Sequence, residues 1–300
     1  MKSKILLCVV IFIYSLLSNQ SIYAKETKEI SLTELLNEYS KIMMPADRQS
    51  SNAWKEISVA LDYGVEIIRR APDSLEAYFV ISSIGPSIGW KNDPRFIIKR
   101  KDWDNRRLNN LNIPDETTPE DLIYLRISMF DTTDFTKKGP ENPEKRTICL
   151  NHLKRMMNEC NNKAYAALAN VSLLVITDND YYTEFLKRFP NHLAIPIIKL
   201  GIAVDNKGKD NNKAIDEINK LITEYKDLKM PFGWGYEIFC YRNLLLIYTS
   251  MKDIEKAKYY YNLIEKNAPD YYSLKDLKAE IDRGGKTFYE VIDELIPPEN

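Results

Sequence analysis

The chain has 300 residues, with 42 basic and 43 acidic side chains and a formal net charge of −1. That balance gives no general electrostatic footing for nucleic acid or for attraction of the whole surface to anionic lipid. Ten glycines and few alternating Val, Ile and Thr runs argue against an all-β chain, so the fold class expected is all-α.

Lys2 and Lys4 precede an apolar run from Ile5 to Leu17, followed by polar Ser18–Ser21 and then Ile22-x-Ala24. A basic end, a short apolar core and small residues before Lys25 predict a secretory signal over 1–24, cleaved after Ala24. The expected product is exported, to the periplasm or outside the cell. An uncleaved anchor is the alternative, because the uncharged stretch between Lys4 and Lys25 approaches the ~20 residues of a spanning helix. Ser18, Asn19, Gln20 and Ser21 interrupt that stretch and favour cleavage. Cys8 follows Leu7 and sits early in the apolar run, which suits it poorly to lipid attachment. Loss of Lys2 and Lys4 with the signal leaves 40 basic against 43 acidic groups, a charge of −3.

Three cysteines then remain: Cys149, Cys160 and Cys240. An odd number excludes a disulfide framework. Cys149 and Cys160 are expected on one helix, roughly 16 Å apart along its axis, too far to bridge. Buried thiols acting as small apolar fillers are the expectation, with a bridge from Cys240 left open.

In chain order, Ser31-Leu32-Thr33-Glu34 is a capping box, and Leu32, Leu35, Leu36, Tyr39, Ile42 and Met43 recur at helical spacing up to Pro45. A longer helix is expected from Ala53 to Ala71, burying Trp54, Ile57, Leu61, Val65 and Ile68. Residues 25–85 thus form an N-terminal helical unit. Residues 86–145 hold six prolines and read as an irregular, loop-rich connecting segment. Within it Asp93-Pro94, Thr118-Pro119 and Asn142-Pro143 each pair a cap with a proline in a first helical turn. From 146 to 300 helices return in pairs. Cys149, Leu150, Leu153, Met156 and Met157 form one stripe, and Ala164–Ile176 is an alanine-rich helix. Leu200-Gly201 and Ala214, Ile218 and Leu221 outline another unit around a polar Asp205–Asn212 turn. Helices near Leu274–Ile281 and Phe288–Ile296 are expected to cap the end.

The most informative spacing is Tyr241-x2-Leu244-Leu245-x2-Tyr248, then Ala257-x3-Tyr261, then Pro269. It resembles a tetratricopeptide repeat, whose pattern is W-x2-L-G-x2-Y, A-x3-F and P. Tyr stands for Trp, Leu for Gly and Tyr for Phe. One repeat matches well, over 238–271; a second unit at 53–85 is degenerate, with Gly64 at the aromatic position. The repeat-ending prolines do not keep the ~34-residue period, so an irregular α-α superhelix of helix hairpins is expected. The resemblance implies that the inner face of the first helix receives a peptide or helix. On this chain that stripe is Phe239, Arg242, Leu246 and Thr249, with Arg242 able to pair with a partner's carboxylate. Tyr261 is expected in the core, with Tyr259 and Tyr260 partly exposed.

Other chemistry finds less footing. Gly85-Pro86-Ser87-Ile88-Gly89 fits a nucleophile elbow, but a strand before Ser87 and a helix after it are not expected, and His152 and His192 both fall in expected helices. No zinc spacing, calcium loop, P-loop or dinucleotide fingerprint is present, so no metal or cofactor is assigned. Lys99, Arg100, Lys101, Arg106 and Arg107 surround Trp103. Asp102 and Asp104 interrupt that charge, which reads as a solvated face; the alternative is a grip on an anionic partner. The reading is an exported scaffold for a protein or peptide in the cell envelope, without catalytic residues, not directed at nucleic acid, and open to peripheral envelope association. The alternatives are an α/α-helical envelope enzyme with its active site in the 86–140 loops, or a structural component of a larger assembly.

Overall fold

The computed structural model describes residues 30–44, 56–85, 93–130, 143–176, 180–205 and 210–284. The predicted signal, Trp54, Ser87 and the 288–296 helix lie outside them. Thirteen α-helices occur among the described residues, with one isolated bridge between Lys229 and Gly235 and no strand. The fold is all-α, built of helices packed on their neighbours.

Local signals set the first elements. In α1 (Leu32–Met43) the Ser31 hydroxyl accepts from the Glu34 amide at 3.2 Å, and the Ser31 amide donates to the Glu34 carboxylate at 2.8 Å. The apolar stripe of α1 buries Leu35, Leu36, Tyr39 and Met43 against α2 (Ile57–Arg70). Helix α3 (Leu75–Ser83) follows a tight turn capped by Ser74. Gly64 sits where α2 meets three helices at once. A Cβ there would come within 2.9 Å of Val80 on α3, 3.2 Å of Ile123 and 3.3 Å of Tyr39 on α1. The missing side chain at the repeat's aromatic position is therefore a point of close approach.

The prolines of the 86–145 segment open helices more than they break them. Pro94 starts α4 (Pro94–Arg106) behind Asp93, and Pro119 starts α5 (Pro119–Ser128) behind Thr118, whose capping box includes Asp121. Both helices lie in the same core as the rest, contributing Phe96, Trp103, Leu122, Ile123, Leu125 and Ile127 to a cluster that runs from Leu35 to Ile281. Here the packing order departs from the chain order. Helix α5 packs on α2, and α3 packs on α7 (Lys163–Leu173), which follows α6 (Pro143–Glu159). Arg126 on α5 pins that crossing: its guanidinium donates to the Ile84 carbonyl at 3.1 Å and the Ser172 carbonyl at 2.8 Å, and it lies 4.8 Å from the Phe130 ring centroid. Among the described residues no carboxylate pairs with it. The carbonyl ends of α3 and α7, each the negative pole of a helix, take that place.

Beyond α7 the helices stack in sequence: α8 (Tyr181–Arg188), α9 (Ile195–Asp205), α10 (Asn211–Glu224), α11 (Tyr236–Ser250), α12 (Ile254–Asn267) and α13 (Leu274–Asp282). The Tyr236 hydroxyl donates to the Pro196 carbonyl at 2.8 Å, tying α11 to α9. In the α11–α12 hairpin Leu244, Leu245, Tyr248 and Ala257 are buried, as the repeat spacing requires. The aromatic register differs by one residue. Tyr260 fills the slot between Tyr241 and Tyr248, two turns apart on α11, while Tyr261 donates its hydroxyl to Glu265 at 3.1 Å and Tyr259 is exposed. Cys149, Cys160 and Cys240 are buried and free; burial pushes the Cys149 thiol up to about 11 and Cys240 to about 12.

Candidate functional site: the groove between α11 and α13

Helix α11 carries apolar side chains around most of its circumference. One side faces α10 and α12; the other carries the stripe expected to meet a partner. Arg242 and Leu246 from this stripe line a groove of about 470 Å³, closed on its far side by Ser273, Leu277, Glu280 and Arg283 of α13 and its entry. Leu277 follows Arg242 by 35 residues, close to the ~34-residue period of the resembled repeat. The α13 half was missed from sequence, although stepping the α11 stripe forward by one repeat would have found it.

The remaining two stripe residues lie elsewhere. Phe239 is half-buried in an aromatic cluster, its ring centroid 5.8 Å from Phe79, 6.4 Å from Trp234 and 6.5 Å from Tyr271. Phe79 belongs to α3, so the cluster ties the N-terminal unit to α11. Thr249 is a correction: it is buried and its hydroxyl donates to the Leu245 carbonyl at 2.9 Å, leaving nothing to offer a partner. The stripe drifts because ten residues at 3.6 per turn leave Thr249 roughly 80° away from Phe239 around the helix.

The electrostatics of the groove are uneven. Arg283 is paired with Glu280. Arg242 makes no hydrogen bond or ion pair among the described residues, and its Nε is shut away from solvent without an acceptor. Beside it the buried Tyr271 hydroxyl also has no partner; burial raises the phenol's pKa and the Arg242 charge opposes that rise. The groove therefore sets a donor-rich spot at Arg242 next to the apolar Leu246 and Leu277, with the carboxylates of Asp276 and Glu280 also in its lining.

No family model, curated protein or solved structure matches this chain.

Among the described residues of the 86–140 segment, Asp121 gathers the main internal charged network. Asp121 accepts from Trp103 Nε1 at 2.8 Å, from Arg107 at 2.7 and 3.1 Å, and from the Thr118 amide at 2.9 Å. These contacts outweigh its desolvation and hold its pKa below the usual carboxylate value. His152 is buried in α6, with Nε2 2.9 Å from the Thr117 hydroxyl. His192, expected in a helix, lies in the α8–α9 loop, where the turn after Phe189-Pro190 places it; its Nδ1 accepts from the Ala194 amide at 3.1 Å. It borders a second cleft of about 370 Å³ with Asp73, Lys163 and Arg188. Among the described residues no three His, Cys, Asp or Glu side chains are placed to hold a metal.

Proposed function

We propose that this chain is an exported tetratricopeptide-like scaffold that holds a protein or peptide partner of the cell envelope along the α11–α13 groove. The observation that carries this reading is Arg242, a cation with no ion-pair partner among the described residues, beside Leu246 on the wall of an open groove. A buried or half-buried guanidinium normally has its donors satisfied, and an acidic side chain on a bound segment would supply the acceptor. The flanking Leu246 and Leu277 add an apolar contact that an acidic segment with a neighbouring aliphatic residue would fill. Successive first helices forming one groove is the arrangement expected of helical repeats that bind extended segments.

The test is comparative capture from the native envelope with three baits: wild type, Arg242→Glu and Leu246→Arg. The expected result is one partner retained by wild type and lost by both variants, with all three baits melting alike. A partner held equally by all three baits would place binding elsewhere and refute the groove.

A further inference from the structure

Helix α4 has one face fixed and the other bare. Phe96, Arg100 and Trp103 are buried, Trp103 is held by Asp121, and the capping carboxylate of Asp93 accepts from the Ser58 amide of α2 at 3.1 Å. On the outer face Ile97 and Ile98 stand side by side, 52% and 68% exposed. Around them are Arg95, Lys99 and Lys101.

In the sequence Asp102 and Asp104 dilute this basic cluster. In the structure both are engaged by basic neighbours, although Asp102 lies one turn from Ile98. Asp104 is bonded to Arg100 at 3.3 Å and Lys145 at 2.7 Å, while Asp102 pairs with Arg106 one turn further on, at 2.7 Å. Two further acids meet the rim: Asp62, bonded to Lys99 at 2.6 Å, and Asp93, which is buried and lies 3.5 Å from Arg95. Lys101 has no acidic partner among the described residues. The outer face is thus an apolar pair inside a rim where Arg95, Lys99, Lys101 and Arg106 outnumber Asp62, Asp93 and Asp102 by one charge, that of Lys101.

We propose that the Ile97–Ile98 face of α4 docks on an anionic membrane surface. Two adjacent aliphatic side chains can enter the boundary between headgroups and acyl chains while flanking lysines and arginines meet lipid phosphates. Because Trp103 and Asp93 already hold the helix in place, docking orders little that was free. The surface is separate from the α11–α13 groove, and its test does not depend on what that groove binds.

The chain purified from its own host is floated with vesicles of phosphatidylcholine alone and with vesicles also containing phosphatidylglycerol. Wild type is compared with Lys101→Glu, with the double variant Ile97→Ser/Ile98→Ser, and with Lys220→Glu on α10 as a control. All variants are processed alike in that host, so comparison among them removes any contribution of the Ile5–Leu17 run. The expected result is preference for the anionic vesicles, weakened about tenfold or more by Lys101→Glu and by the double variant, and unchanged by Lys220→Glu. High salt should release the wild type, a readout independent of how the variants fold. Equal partition into both vesicles, or variants that float like wild type, would overturn the proposal. A dimer that the double variant disperses, with flotation unaltered, would assign the face to a second copy and overturn it equally.

Discussion

Tyr248 and Tyr260 lie ring over ring, their centroids 5.7 Å apart and their planes within 9°, across the α11–α12 interface. The contact closes the hairpin on which the groove is built, because α13 packs on both of these helices. Offset aromatic pairs contribute about 0.5–1.5 kcal/mol beyond the area they bury. A double-mutant cycle with Tyr248→Leu and Tyr260→Leu, read by urea denaturation, should return a coupling in that range. Replacing Tyr261 in the same cycle should give little coupling, since its ring is half-buried and its hydroxyl bonds Glu265. A larger coupling at Tyr261 than at Tyr260 would restore the register expected from sequence.

Gly64 makes a second quantitative case. Its would-be Cβ falls within 3.3 Å of side chains from α1, α3 and α5; Val80 would have to shift, and Ile123 and Tyr39 to give by a few tenths of an ångström, to admit a methyl group. Gly64→Ala should therefore destabilise by about 1–3 kcal/mol, despite the better helix propensity of alanine. A thermal melt showing stabilisation would mean that these helices separate more readily than their packing implies.

The two histidines predict a pH dependence of one sign. Burial lowers the pKa of both His152 and His192 below the ordinary imidazole value, so the folded chain favours their neutral forms. The unfolded chain then binds protons more readily in the window below an unfolded pKa of about 6.5, and stability falls as pH drops through it. Asp121 has a lowered pKa, so its contribution is present above the ordinary carboxylate value and is lost only at lower pH. Urea midpoints at pH 7 and pH 5 should fall with acidification. Replacing His152 with Gln and His192 with Asn should shrink that fall, even if each change costs stability at pH 7. An undiminished fall in the double variant would assign the effect to other groups.

What the sequence disclosed was what neighbours along the chain decide. The capping box at Ser31–Glu34, the caps before Pro94 and Pro119, and the burial of Leu244 and Ala257 all rest on interactions within a helix or a hairpin. Leu244→Ala should accordingly cost about 2–5 kcal/mol, and Ala257→Trp should be tolerated less well where two helices meet. The same local spacing placed Arg242 and Leu246 together, and both reach the groove. It failed at Thr249, where the helical drift turns the side chain inward, and at Phe239, whose partner Phe79 comes from the other end of the chain. The packing of α3 on α7 was equally hidden, because nothing in either helix names a neighbour so distant in sequence.

Arg126 shows how that distant packing is held. Its guanidinium bonds the Ile84 and Ser172 carbonyls, at the ends of two helices that would otherwise present buried acceptors to each other. Burial pulls its pKa down to about 10, still far above neutral pH, so the bonds are made by a cation. Arg126→Met keeps much of the apolar stem but leaves both carbonyls without a donor. Unsatisfied buried acceptors cost about 1–3 kcal/mol each, so a loss of about 2–5 kcal/mol is expected. Lysine in its place should recover only part, because one ammonium lacks the planar spread that reaches both helix ends. Hydrogen exchange would locate the effect: protection should drop at the C-terminal turns of α3 and α7 while α12 and α13 keep theirs. A loss spread evenly over all helices would mean that the crossing folds and unfolds with the whole stack, and that Arg126 is one core contact among many.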